Sequence, residues 1–375
     1  MKRGRRAIEQ TERGFSVVGL VFIILVVILV LALGGAFIWY KTNTSPVQDN
    51  EEKVLVEIES GSGVVKIAEK LEEKGVIRNA DAFKIYMKLK GGNKTLQAGK
   101  YELSKNMTLD QIIDTLSQGK ILDETVKLTF IEGNNMRYVA EMIAKNTNNT
   151  EDDVFDLLED EDYLDSLVEG YWFIEDDIED EDIYYALEGY LYPDTYEFTN
   201  KDVTVKEILE KMLNKMGEVL LPMKEDIEES DYSIHELLTI ASIAEKEALN
   251  DEDRSEVAGV FYNRLKRGMA LQSDVTTYYG LKIDDWSNRD LSSSELNKAN
   301  AYNTRASSMA GKLPVGPICM VSKSAINAAV NPTKTKAYFF VADKNGKLYF
   351  SNTNDEHDEM IQELKSKGLW YEYDD

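Results

Sequence analysis

From Val17 to Tyr40 the chain carries no charged residue, and the run VVGLVFIILVVILVLALGGAFIWY offers no polar face on which a water-soluble helix could rest. At about 1.5 Å rise per residue it crosses the roughly 30 Å hydrocarbon core of a bilayer with length to spare. It is longer than the roughly 7 to 15 residues of a signal-peptide apolar region, and no Ala-x-Ala-like site follows it. An uncleaved anchor at 17–40 is therefore expected rather than a removed leader. Lys2, Arg3, Arg5, Arg6 and Arg13 precede it against Glu9 and Glu12, which assigns residues 1–16 to the cytoplasm. Trp39 and Tyr40 suit the outer interface. On this reading the protein is a single-pass protein of the cell membrane, and the rest of the chain works outside the cytoplasm.

The roughly 330 residues beyond the anchor suffice for two or three ordinary domains. Lys and Arg total 43 against 68 Asp and Glu, a net charge of −25. Such a surface repels nucleic acid and anionic lipid, so no nucleic-acid partner is expected. Cys319 is the only cysteine, which excludes an intramolecular disulfide. His235 and His357 are too few and too far apart for the usual zinc-hydrolase patterns, and neither lies beside a Ser or Cys nucleophile motif. They read as surface or capping residues. No metal and no cofactor is implied, and any chemistry must come from carboxylates.

Residues 41–53 are polar, contain Pro46 and read as a linker. From Val54 an alternating strand meets Gly61, and Val64, Ile67, Ala68 and Leu71 then recur at helical spacing. A related pattern returns at Phe130-Ile131-Glu132-Gly133 and Val139-Ala140-Glu141. Both are a strand, a Gly-containing turn and an amphipathic helix, of the kind found in small α+β modules such as the LysM-like carbohydrate-binding fold. Leu96 to Leu103 reads as a strand and Met107 to Leu116 as a helix. Residues 151–186 are dense in Asp and Glu and read as solvated helix faces or loops, without the ligand spacing of an EF-hand.

Ser233 followed by Glu236 is a capping-box signal, and the helix it opens runs through Glu245, Lys246 and Glu247. Leu237, Ile240, Ala241, Ala244 and Ala248 form one apolar stripe at about 100° per residue. Glu247 falls roughly 60° from its centre and Glu245 roughly 100° away. A carboxyl against apolar surface has its charged form disfavoured, as a general acid near neutral pH requires. A solvated boundary glutamate is the other reading of the same geometry. A second helix is expected from Asp251 to Arg267, ending at Gly268, and a hairpin from Ala337–Asp343 and Lys347–Thr353 around Lys344-Asn345-Gly346.

Several stretches together resemble a known family. Glu188-Gly189-Tyr190-Leu191-Tyr192-Pro193-Asp194-Thr195-Tyr196 is similar to a signature of the endolytic murein (lytic) transglycosylases of the YceG-like family. Ala241 to Glu247, Val260 to Leu265, Met269 to Asp274, Ala301 to Thr304 and Leu313 to Ile318 match further motifs in the family's order. The resemblance extends from the anchor to Lys367. Val275, Arg305 and Val321-Ser322 depart from it, standing where proline, tyrosine and Pro-Gly are common.

The resemblance implies an α+β protein: transmembrane helix, LysM-like module at 54–125, then a mixed α+β catalytic region at 126–375 that includes the acidic segment 151–186. It implies a lyase acting on the MurNAc-β-1,4-GlcNAc bond of nascent peptidoglycan strands, leaving a 1,6-anhydroMurNAc end and terminating elongation. Its catalytic glutamate maps onto Glu247. Gln272, Asp274, Tyr302 and Asn303 are candidate sugar contacts, with turn formation as the alternative reading of each. Penicillin-binding proteins and the elongation machinery are the implied protein partners. A non-catalytic, membrane-anchored glycan-binding scaffold is the competing function.

Overall fold

The structure, a computed structural model, describes residues 17–92, 94–120, 122, 125–284 and 290–370. The basic tail expected at 1–16 lies outside the described residues. The chain divides into two compact units, residues 1–123 and 124–375.

The first unit begins with helix α1 (Val17–Asn43), of which no residue is buried by protein. It is long and apolar enough to cross a membrane. Strand β1 (Lys53–Ile58), helices α2 (Val64–Glu73) and α3 (Ala80–Tyr86), strand β2 (Gly99–Ser104) and helix α4 (Leu109–Ser117) follow. β1 and β2 pair antiparallel, Lys53 opposite Ser104 and Ile58 opposite Gly99. Alternation in each strand turns Val56, Ile58, Tyr101 and Leu103 inward, onto Ile67, Leu71, Phe83, Ile112 and Leu116 from the helices. Thr108 and Gln111 form a reciprocal capping box that starts α4.

The second unit opens with β3 (Val126–Thr129), α5 (Met136–Asn146), α6 (Glu151–Leu158), α7 (Glu161–Gly170), β4 (Thr195–Phe198), α8 (Val205–Leu220) and α9 (Lys224–Glu228). Then come α10 (Ile234–Glu247), α11 (Asp251–Lys266), α12 (Asp274–Gly280), α13 (Ser293–Leu296), α14 (Lys323–Val330), β5 (Phe339–Ala342), β6 (Leu348–Ser351) and α15 (Asn354–Ser366). β3 pairs with β4 and β5 with β6, both antiparallel. The strand–Gly–helix repeat is present in both places: Gly61 and Gly133 take φ of 78° and 77° between β1 and α2 and between β3 and α5. The acidic 151–186 segment forms α6, α7 and a short 3-10 turn at Asp176–Glu179, with Val154, Leu158, Tyr163, Leu164 and Ile178 turned inward and most carboxylates in solvent.

Helix α10 is the centre of this unit and packs on α11, α12 and α14. Its expected amphipathic stripe proves too narrow. Apart from Glu236, every residue from Ile234 to Glu245 is buried, so all faces are covered. A helix wheel sees only its own residues, whereas α11 and α14 close the sides it marks as open. Truncating Ile240, fully buried here, would remove roughly 2–5 kcal/mol of stability.

Candidate active site

The Ser233 side chain accepts from Glu236 N–H, and the Glu236 carboxylate accepts from Ser233 N–H at 2.9 Å, which fixes the start of α10. At its other end Ala248 is extended, so Glu247 is the last helical residue and stands where the chain turns toward α11. The neighbouring Glu245 does structural work. It pairs with Arg254 at 2.9 Å and accepts from Ser322 N–H at 2.8 Å, its side chain 3% exposed. The wheel placed it nearer solvent than Glu247. The ion pair contributed by α11 explains why it is instead the more deeply buried of the two.

Glu247 is half-buried, and its Oε1 accepts a 2.5 Å hydrogen bond from Ser273 Oγ. Desolvation pushes its pKa up, and the nearby Asp274 carboxylate adds to the rise. The Ser273 hydrogen bond, Arg305 and Arg264 oppose it, and the net direction is upward. Arg264 is itself buried, donating from Nε to Tyr338 O and from Nη1 to Leu271 O, both at 2.6 Å.

Ser273 is held by a buried hydroxyl network. Its N–H donates to Thr304 Oγ1 at 3.0 Å, and Thr304 and Thr276 hydroxyls meet at 2.8 Å. Exposure then alternates: Gln272 and Asp274 face solvent on either side of buried Ser273. Gln272 is one of two non-glycine residues with positive φ among the described residues, at 53°. Asp274 pairs with Arg305, so this departure from the family pattern supplies a partner for the acid next to Glu247.

Tyr302 and Asn303 are placed differently from the sugar contacts expected of them. Both are fully buried. Asn303 accepts from Thr277 Oγ1 at 2.7 Å and donates to Leu296 O and Lys298 O, so its amide is occupied within the loop. Tyr302 packs 4.7 Å from the rings of both Tyr184 and Tyr279. They brace the wall that carries Ser273 and present no face to a ligand.

Glu247, Gln272, Asp274 and Arg305 line a cleft of about 430 Å³. Its opposite wall comes from the C-terminal hairpin, α15 and the segment just after it, with Phe339 and Phe340 from β5, His357 from α15 and Trp370 beyond it. The His357 ring stacks on Phe339 at 5.5 Å. Thus His357, read from sequence as a surface or capping residue, belongs to the cleft. The other histidine is also no surface group: His235 is buried, donating from Nε2 to Val315 O at 2.8 Å and accepting at Nδ1 from Tyr190 OH at 2.8 Å. Ser273 is a further functional residue within the Met269–Asp274 motif, and its sequence signal is a hydroxyl at the position just before the helix that opens at Asp274.

The Glu188-Gly189 motif packs behind this region. Gly189 has φ of 80°, and a Cβ there would come within 2.3 Å of Pro317, so only glycine allows the two segments to meet. Ile318 N–H in turn donates to Ser242 Oγ on α10 at 3.0 Å. The matched motifs therefore converge on one helix, either lining the cleft or holding what lines it.

A family model described as the YceG-like family matches residues 56–363. An endolytic murein transglycosylase of Bacillus subtilis is 35% identical over 340 residues, covering 90% of this chain and 92% of that protein. One of Streptococcus pneumoniae is 32% identical over 367 residues, covering 92% of this chain and 65% of that longer protein. The crystal structure of a yceG-like protein from Listeria monocytogenes superposes with a TM-score of 0.59 at 35% identity, over 83% of this chain and all of that one.

Proposed function

The chain belongs to the YceG-like family, and from that premise we propose that it is a membrane-anchored lytic transglycosylase that cuts within peptidoglycan glycan strands with Glu247 as its acid. The observation that carries this reading is the desolvated Glu247 carboxyl, held by Ser273 at the end of a buried helix and facing a cleft. Protonated Glu247 gives its proton to the glycosidic oxygen as the bond from C1 of N-acetylmuramic acid breaks. The resulting carboxylate then takes the proton from the muramoyl 6-hydroxyl as O6 bonds to C1. The product is a 1,6-anhydro end, and Glu247 returns to its acid form.

A retaining hydrolase needs a second carboxylate as nucleophile. Asp274, the carboxylate beside Glu247, is instead engaged by Arg305, which favours a reaction whose nucleophile is in the substrate. Gln272 and Asp274 remain as sugar contacts, while the aromatic wall of Phe339, His357 and Trp370 suits the apolar faces of pyranose rings. Tyr302 and Asn303 position the Ser273 loop.

The apolar α1 supports a single-pass anchor, and the basic residues ahead of it support a cytoplasmic N-terminus with the catalytic unit outside. The β-α-α-β order of residues 53–104 supports a LysM-like glycan-holding module. Cutting nascent strands close to the membrane would end their elongation. Mass spectrometry of glycan products from the wild type and Glu247→Gln tests the chemistry.

A further inference from the structure

A second cleft, of about 350 Å³, adjoins the catalytic one: Val275 lines both, and Lys246, the residue next to Glu247, lines the second. We propose that this second cleft binds the peptide stem of the muramoyl residue being cut, an inference that rests on the lyase reading above. Its chemistry differs from that of the catalytic cleft. Both clefts carry charges of both signs, but the second lacks the wall of Phe339, His357 and Trp370 and is lined instead by Asn135, Arg137, Glu141, Glu151, Lys246 and Asp284. Fixed charges of both signs and a carboxamide suit a peptide carrying carboxylates, amides and an amine, whereas a strand stripped of its stems offers only the single lactyl carboxylate of each muramoyl residue.

The charges are held in place before any ligand arrives. Arg137 pairs with Asp284, donates to Tyr185 OH and lies 5.7 Å from the centroids of the Tyr185 and Tyr279 rings. Asn135 Nδ2 donates to the same Asp284 at 2.5 Å. Lys246 Nζ donates to Gly133 O at 3.0 Å, which ties the ammonium to the turn ahead of α5. Behind this wall, buried Glu188 accepts from Met136 N–H at 2.9 Å and from Tyr279 OH at 3.0 Å, joining α5 to α12. The site is therefore rigid where α5, α10 and α12 meet.

The stem hangs from the muramoyl ring whose C1 is attacked, so a stem site has to lie beside the acid. The cleft across Val275 does so, on a helix that Ser273 already ties to Glu247.

The test compares kcat/KM of the full-length protein in detergent on uncrosslinked strands that carry stems and on the same strands stripped of stems by an amidase. The wild type should prefer stemmed strands by about tenfold, the worth of one charge-assisted contact. Glu141→Lys, at an exposed position, and Lys246→Gln should each bring that ratio toward one. A wild-type ratio of one, or variants that slow both substrates alike, overturns the stem site while leaving the lyase reading intact. Failure of the wild type to cut either substrate overturns both.

Discussion

Ser273 Oγ donates to Glu247 Oε1 at 2.5 Å, joining the N-cap of α12 to the last residue of α10. The bond favours the ionised carboxyl and so tempers the rise that desolvation causes. Ser273→Ala should raise the Glu247 pKa further. Activity that needs protonated Glu247 is lost as pH rises through that pKa, so the alkaline limb of the pH–rate profile should move to higher pH, with kcat down by about tenfold from lost positioning. A limb that stays put would mean that the hydroxyl does not touch the working acid.

Glu245 and Glu247 should separate cleanly by substitution. Removing the Glu245 side chain takes from the largely buried Arg254 its buried partner and leaves it only the exposed Asp251, and Glu245→Ala should cost about 3 kcal/mol of stability in a denaturant titration. Glu247→Gln should melt close to the wild type while losing activity. If Glu245→Ala were as stable as the wild type, the structural role assigned to that ion pair would be wrong.

Burial raises the Glu188 pKa to about 7 from an ordinary value of 4.5. The folded state then binds more protons than the unfolded state between those limits, so this group's stabilisation is complete below about 4.5 and is lost as pH rises through about 7. Relative to Glu188→Gln, the wild type should lose roughly 3 kcal/mol across that window. Parallel stability curves for the two proteins would show that Glu188 does not titrate there.

Gln272 holds a left-handed backbone without being glycine. Gln272→Gly should relieve this and stabilise the fold by about 0.5–1 kcal/mol. It should also weaken sugar binding, visible as a higher KM with kcat less affected, since the exposed amide faces the cleft. A lower KM would remove Gln272 from the sugar contacts.

Local signals carried much of the fold. The Ser233–Glu236 box, the Asp251-Glu252-Asp253 start of α11 and the Asn345-Gly346 turn each declare themselves within a few residues, and all three form where their chemistry requires. Glu247 stood out because a carboxylate at the edge of an apolar helix is unusual. What stayed hidden depends on distant chain: α14 covers the far side of α10, Arg254 draws Glu245 inward, and Phe339, His357 and Trp370 reach the cleft from well beyond α10 in sequence. Tyr302 and Asn303 have side chains that suit sugars, and only burial shows that their polar atoms are satisfied inside the protein.

The most direct test is the chemistry of the cut end. Uncrosslinked glycan strands incubated with the full-length protein in detergent, then resolved by mass spectrometry, should yield internal fragments ending in 1,6-anhydromuramic acid. Glu247→Gln, folded to the same melting temperature, should yield none. Reducing muramic acid ends from the wild type, or anhydro ends from Glu247→Gln at the wild-type rate, would contradict the account of Glu247 as the acid and base of a lytic cut.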